Sequence, residues 1–284
     1  MDKLELKSPA KINIGLNVLQ KREDGFHDLE TIFYPLLLSD HLKFEKSNKT
    51  TFETNNPDLE KIEDNLILQA IKSLEQYCGE KFNVNIYLEK NIPIGAGLGG
   101  GSSNAAATLK AISSLFNLNL SHKELSEIAL SIGSDVPYFL NPVPSLGLSR
   151  GEMLSKIDLE ISQPILIVNP GIHISTAWAF NNIDLKKISI GRKRLSELNR
   201  FSLLEITQIA NNDFEQIVFG KYPLLKNIKD RILQFGAAFS SLSGTGSTIY
   251  GIFSNLQQSR KAEEIFKRDY FTFLNYPVDQ GSIT

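Results

Sequence analysis

Pro93-Ile94-Gly95-Ala96-Gly97-Leu98-Gly99-Gly100-Gly101-Ser102-Ser103 is the stretch from which the rest of the chain can be read, and five of its eleven positions are glycine. Glycine lets a backbone turn with positive φ and lets a ligand approach main-chain N–H groups closely. Upstream, Phe82 to Leu88 alternates apolar and polar residues, which predicts a strand. Downstream, Ala106, Leu109, Ile112 and Phe116 fall at helical spacing. A glycine-rich passage from strand into helix leaves the first-turn N–H groups unpartnered at the positive end of the helix dipole. That is a seat for an anion such as phosphate. Ser102 and Ser103 can add hydroxyl contacts, cap the helix, or help hold Mg2+ with the phosphates. A ligand-free tight turn is the plainer reading, but it needs neither five glycines nor two serines.

The loop alone leaves the phosphate ligand open. Gly95-x-Gly97-x-x-Gly100 fits a dinucleotide fingerprint, yet Pro93 interrupts the approach and no acidic residue ends a second strand about 20 residues later. No lysine precedes Ser102, so the loop is not a Walker A motif. A protein-kinase loop would sit in a hairpin near the N-terminus, with its lysine on the next strand.

Working outward, residues 3 to 19 alternate: Leu4, Leu6, Ala10, Ile12, Ile14, Leu16 and Val18 share one parity, and Lys3, Glu5, Lys7, Lys11, Asn13 and Asn17 the other. Period two predicts a strand with one buried face, and Pro9 is expected to mark an edge or a break. Lys21 to Gly25 reads as a turn into a second strand, Leu29 to Leu38. Lys11 and Asn13 share the polar face and could project into a cleft. Periodicity by itself favours a solvated surface lysine. Asp64 is the expected N-cap of a helix running through Leu74. Ser121 to Glu124 has the capping-box pattern, with a helix stop at Gly133. Asp135 follows that stop and precedes Pro137, which alone reads as a turn or N-cap aspartate. Taken together, a carboxylate and a lysine are what phosphoryl transfer to a hydroxyl requires. Residues 141 to 151 read as a loop and a soft boundary. A strand is expected at 164 to 169 and helices at 175 to 181, 195 to 209 and 222 to 235. A strand pair is expected to flank Ser243-Gly244-Thr245-Gly246-Ser247, which is equally well a plain turn or part of the same cleft.

The 284 residues are 42% hydrophobic and 22% charged, with a formal charge of -2, which offers no basic footprint for nucleic acid or an anionic membrane. Cys78 is the one cysteine, so no internal disulfide forms and a reducing, cytoplasmic setting is expected. No apolar run spans a bilayer, and charges interrupt the first residues where a signal peptide would need an apolar core. His27, His41, His122 and His173 show no metal-ligand spacing.

Three motifs in order, Pro9-Ala10-Lys11-Ile12-Asn13, Pro93 to Ser103 and Ser243 to Ser247, resemble the GHMP small-molecule kinases. Ser8 to Leu16, Lys21 to His27, Glu63 to Ile67 and Gly133 to Pro137 resemble its members in the non-mevalonate isoprenoid route. The resemblance implies an α+β, two-domain fold. An N-terminal ribosomal protein S5 domain 2-like ATP-binding domain (1–150) would be followed by a C-terminal ferredoxin-like α/β sandwich (151–284), with the active site in the cleft between them. It implies Lys11 and Asp135 as the catalytic pair. Pro93, Ile94, Gly95, Ala96, Gly97, Leu98, Gly99, Gly100, Gly101, Ser102 and Ser103 would hold ATP, with Asn65 and Lys90 near its nucleoside end. Asn13, Phe26, His27 and Phe180 would bind the substrate: His27 reads a cytosine edge, and Phe26 and Phe180 sandwich the ring. The partner implied is a small molecule, a cytidine-diphosphate-linked methylerythritol, phosphorylated with ATP and Mg2+ by a monomer or weak homodimer. Phe26 stands where the family usually has tyrosine, and Asn141 to Pro144 is less glycine-rich than usual. Another GHMP kinase, a dinucleotide-dependent oxidoreductase and a non-catalytic nucleotide or sugar sensor are the alternatives.

Overall fold

The computed structural model describes residues 2–60, 65–185 and 193–276. The chain forms two compact units, one of Met1–Lys11, Leu38–Ile94 and Gly99–Val143, the other of Ile12–Leu37, Gly95–Leu98 and Pro144–Thr284. A division at residue 150 treats the chain as two consecutive pieces, whereas these units alternate along it.

Two long strands, β1 (Lys3–Lys21) and β2 (His27–Lys46), contribute one end to each unit. The first unit adds β3 (Thr51–Thr54), α1 (Pro57–Glu60), α2 (Leu66–Cys78), β4 (Val84–Glu89), α3 (Gly100–Leu115), α4 (His122–Ile132) and α5 (Val136–Leu140). The end of β2 pairs antiparallel with β4 from His41↔Glu89 to Lys46↔Val84, and β3 lies parallel to β4. On β4, Val84, Ile86 and Leu88 are buried and alternate with exposed residues, as its sequence predicts. Helix α2 buries the stripe Ile67, Ala70, Ile71 and Leu74. Asp64 lies outside the described residues. The N-cap of α2 is Asn65, whose side chain accepts from the Ile67 N–H, and Gly79 closes the helix in the left-handed region. The capping box Ser121–Glu124 is formed at the start of α4. Helix α3 packs against α2 and α5 and is buried from Ser103 to Leu109, which the small side chains Ala105, Ala106 and Ala107 permit.

Two expectations about β1 are corrected. Pro9 breaks nothing, because the strand runs unbroken from Lys3 to Lys21. Nor is one face of it open: from Ser8 to Val18 every residue but Pro9 is buried, so Lys11 and Asn13 are each only 3% exposed. β2 also outruns the expected Leu29 to Leu38 at both ends.

The second unit adds β5 (Ser145–Ser149), β6 (Met153–Lys156), β7 (Ile165–Asn169), α6 (Thr176–Asn182), a 3-10 turn (Leu195–Glu197), α7 (Leu203–Ile209), α8 (Glu215–Lys221), α9 (Pro223–Gln234), β8 (Ala237–Leu242), β9 (Ile249–Phe253), α10 (Leu256–Phe266) and β10 (Phe271–Asn275). β2 pairs with β5 from Leu29↔Ser149 to Phe33↔Ser145, and β5 turns back onto β6. A four-stranded antiparallel sheet runs β10-β7-β9-β8. Its core includes Leu166, Val168, Phe214, Ile228, Phe253 and Phe266. Within the expected loop at 141 to 151, Ser145–Ser149 is thus β5. A Cβ on Gly147 would lie 2.7 Å from the Phe33 ring, so the glycine there serves close strand packing. The expected helix at 195 to 209 is interrupted between the 3-10 turn and α7. Among the described residues no helix is long and apolar enough to cross a membrane.

Candidate active site

In the first unit, Lys11 and Asp135 meet. Lys11 Nζ lies 3.5 Å from Asp135 Oδ2, with the lysine side chain 4% and the aspartate side chain 35% exposed. Burial pushes the Lys11 ammonium below its ordinary pKa, while the charge and hydrogen bond of Asp135 act in the opposite direction. Asp135 occupies the N-cap position of α5, but its side chain makes no capping hydrogen bond. Its carboxylate is turned to the lysine instead of to the helix.

Gly99 is the N-cap of α3, with φ 72°, and as a glycine it supplies no side-chain cap to the helix. A Cβ on Gly99 would fall 2.6 Å from the Phe139 ring and 3.1 Å from Lys11 Cε. Glycine therefore lets the lysine stem lie against the start of the helix. The N–H groups of the first turn, its dipole and a nearby ammonium are the features that an anion such as phosphate would use. The serines divide. Ser102 is half-buried, whereas Ser103 is buried with its Oγ 2.8 Å from that of Ser8, which donates to the Asn104 side-chain oxygen. Ser103 is tied into the β1–α3 packing.

Asn65 and Lys90 are both engaged within the protein. The Asn65 side chain caps α2. Lys90 Nζ pairs with Asp40 Oδ2 at 2.7 Å and donates to the Ile92 carbonyl, and its pKa is lowered by burial against the opposing pull of Asp40. Asp40 is fully buried and also accepts from the Asn91 and Ile92 N–H groups. It is the post on which the approach to the glycine loop is tied, and the sequence reading missed it.

In the second unit, residues 95 to 98 of the loop lie against the Ser243–Ser247 turn. Ser243 Oγ donates to the Gly97 carbonyl at 2.9 Å and the Thr248 N–H donates to the Ala96 carbonyl at 3.2 Å. The second and third sequence motifs thus meet directly. Asn13 is held by its main chain, which donates to Ser243 Oγ and accepts from the Tyr250 hydroxyl. Beneath the turn, Asn212 Nδ2 donates to the Leu242 and Gly244 carbonyls, Asp213 accepts from the Val18 N–H, and Glu215 accepts from Ser241 and Leu242. The polar residues Asn212, Asp213 and Glu215, placed between two expected helices, were the available signal for this bracket.

His27 is buried and stacks on Phe180, with ring centroids 5.1 Å apart and planes at 26°. Burial, then the charge of Lys21, lowers its pKa, which keeps the imidazole neutral at pH 7. A neutral imidazole carries one donor and one acceptor. Phe26 is 49% exposed and carries the Arg150 guanidinium 3.9 Å above its ring. Arg150 is a further residue the sequence reading missed.

The donor set at the first unit's site is one carboxylate, Asp135, with the half-buried hydroxyl of Ser102. Among the described residues no three His, Cys, Asp or Glu side chains gather as metal ligands. One carboxylate plus substrate phosphates is a common way of holding Mg2+, so these residues fit an ion carried by a nucleotide.

Residues 65–141 match the GHMP kinases N terminal domain, and residues 195–271 match the GHMP kinases C terminal. The chain is 40% identical to the 4-diphosphocytidyl-2-C-methyl-D-erythritol kinase of Prosthecochloris aestuarii, over 95% of this chain and 96% of that one. It is also 40% identical to the enzyme of the same name from Thermodesulfovibrio yellowstonii, over 93% and 94% of the two chains. A crystal structure of 4-(cytidine 5'-diphospho)-2C-methyl-D-erythritol kinase is similar, with TM-score 0.81 and 29% identity over 96% of this chain and 98% of that one. The homoserine kinase of Cytophaga hutchinsonii, at 18% identity, TM-score 0.74 and coverage of 99% and 96%, shares the fold. The chain belongs to the GHMP kinase family and, within it, to the 4-diphosphocytidyl-2-C-methyl-D-erythritol kinases.

Proposed function

We propose that this chain transfers the γ-phosphoryl group of ATP to the 2-hydroxyl of 4-diphosphocytidyl-2-C-methyl-D-erythritol, releasing ADP and the 2-phosphate. The observation that carries this reading is the Lys11–Asp135 pair, with Lys11 lying against the start of α3. Asp135 accepts or orients the hydroxyl proton while the new O–P bond forms and the bond from Pγ to the β,γ-bridging oxygen breaks. Lys11 holds negative charge developing on the attacking oxygen and the transferred group. Main-chain N–H groups from Gly99 to Ser102 hold the phosphates. His27, neutral and stacked, reads the cytosine edge, Asn13 orients the polyol, and Phe26 and Phe180 supply aromatic faces for the base. Ser102 and Asp135 are the residues that would hold Mg2+ with the phosphates. The ion, when bound, supplies charge neutralisation on the β- and γ-oxygens.

Incubation with ATP, Mg2+ and the cytidylyl substrate tests this, with ADP release followed against mevalonate and homoserine. Turnover is expected with the cytidylyl substrate alone. Lys11→Ala and Asp135→Asn are each expected to lower kcat by about 10²- to 10⁴-fold, with ADP affinity largely kept. Equal turnover of mevalonate, or near-normal kcat in Asp135→Asn, overturns the reading.

A further inference from the structure

The turn that carries Phe26 is fastened to the end of β5. Arg22 grips the Asp24 carboxylate through Nε and one terminal nitrogen. Its other terminal nitrogen donates to Asp28 at 3.0 Å and to Ser149 Oγ at 2.8 Å. The Phe26 N–H donates to Asp24 Oδ1 and the Phe26 carbonyl accepts from the Arg22 N–H, so the main chain on both sides of the ring is held. Ser149 stands opposite Leu29 of β2, and the Gly151 N–H donates to the Leu148 carbonyl, closing a tight turn. Within that turn Ser149 takes φ 62°, a left-handed conformation unfavourable for a residue with a side chain. The bond from Arg22 to its hydroxyl helps to hold it there. The turn presents the next residue, Arg150, to Phe26, with the guanidinium 3.9 Å above the ring. The same guanidinium lies within electrostatic reach of Asp24.

A phenyl ring has two faces. With a guanidinium on one, a base can stack only on the other, and Phe26 is still 49% exposed. We propose that Arg150 is a positioning residue for substrate binding: it holds Phe26 as a preformed platform on which the base stacks. This rests on the reading that Phe26 stacks on the cytosine. An aromatic side chain turning freely at the tip of a turn has to be ordered when the ligand arrives, and that ordering weakens binding. Arg150 acts through the ring, so its effect is the same for a nucleoside as for a nucleoside diphosphate.

The test measures the affinities of CDP, cytidine and ADP for the full chain and for Arg150→Met, Phe26→Leu and the double variant. Arg150→Met is expected to weaken CDP and cytidine by the same factor, about 3- to 10-fold, the worth of one exposed cation–π contact and one pre-ordered side chain. KM for the cytidylyl substrate is expected to rise by that factor, with kcat and the ADP affinity within about twofold. In the Phe26→Leu chain, Arg150→Met is expected to change the CDP affinity by less than about 1.5-fold, because the ring through which it acts is gone. A loss for CDP with cytidine unchanged overturns the proposal, since the guanidinium would then be touching phosphate. So does an equal loss in the Phe26→Leu chain, or an unchanged affinity for both ligands in Arg150→Met. Phe26→Leu binding CDP as well as the unsubstituted chain overturns the reading beneath, whatever Arg150→Met does.

Discussion

Burial drives the Lys11 ammonium towards neutrality, and Asp135 opposes that drive by charge and by hydrogen bond. In the proposed reaction the lysine acts in its charged form, so activity is expected to fall as pH rises through its lowered pKa, giving an alkaline limb below the ordinary 10.5. The sign for stability is opposite. Between the lowered and ordinary pKa values the unfolded chain binds the proton more tightly, so this site's contribution to stability rises with pH across that window. Asp135→Asn removes both contributions that raise the pKa. The Lys11 titration, followed by 13C or 15N NMR of its side chain, is expected to move to still lower pH in that variant, and an unmoved titration would show the two groups uncoupled. Neither half of this pair could be placed from the sequence alone. Alternation along β1 shows which residues share a face, but not that both faces become covered, so Lys11 read as a surface lysine. Asp135 was legible as a residue of a helix-starting turn. That its side chain declines the cap depends on Lys11, which is 124 positions away in a different element.

Among elements, the glycine loop was the most legible, because so many glycines in eleven residues have few explanations. What sequence could not give is the separate reason for each. Gly97 has φ 75°, and a Cβ on it would stand 2.1 Å from the Ser243 carbonyl oxygen. Both backbone conformation and contact therefore exclude a side chain. Gly101 lies in the first turn of α3, where a Cβ would be 3.3 Å from the flexible end of Leu66. Gly97→Ala is expected to cost more than about 2 kcal/mol and to weaken ATP binding. Gly101→Ala is expected to stay within about 1 kcal/mol, since helix propensity offsets the mild crowding. Urea denaturation of the two variants decides it, and equal costs would mean that the contact of the loop with the Ser243 turn is unimportant. Asp40 was not legible. Its partners Lys90, Asn91 and Ile92 lie about fifty positions away, and an aspartate just past the expected strand Leu29 to Leu38 carries no mark of burial.

At the scale of the molecule, the second and third motifs share one unit through Gly97 and Ser243, while Gly99 onward belongs with Lys11 and Asp135. The loop passes from one unit to the other between Leu98 and Gly99. Hydrophobic periodicity cannot show this, because β1 and β2 remain continuous strands through the residues at which their packing partners change. The proposed ATP and cytidine sites nevertheless draw on different residues, which makes their effects separable. ADP is expected to slow amide hydrogen exchange in 95–103, on both sides of that passage. CDP is expected to slow exchange in 26–31 and 176–182, around His27 and Phe180. His27→Ala removes the imidazole that stacks on Phe180 and is proposed to read the base, so it is expected to abolish the second pattern and leave the first. Ligand at about 100 times Kd adds roughly 2.7 kcal/mol to stability, enough for the protection to stand clear of local fraying. If ADP protected the 176–182 helix and left 95–103 unchanged, the loop would not be the phosphate seat, and Lys11 and Asp135 would lose the group they are proposed to act on.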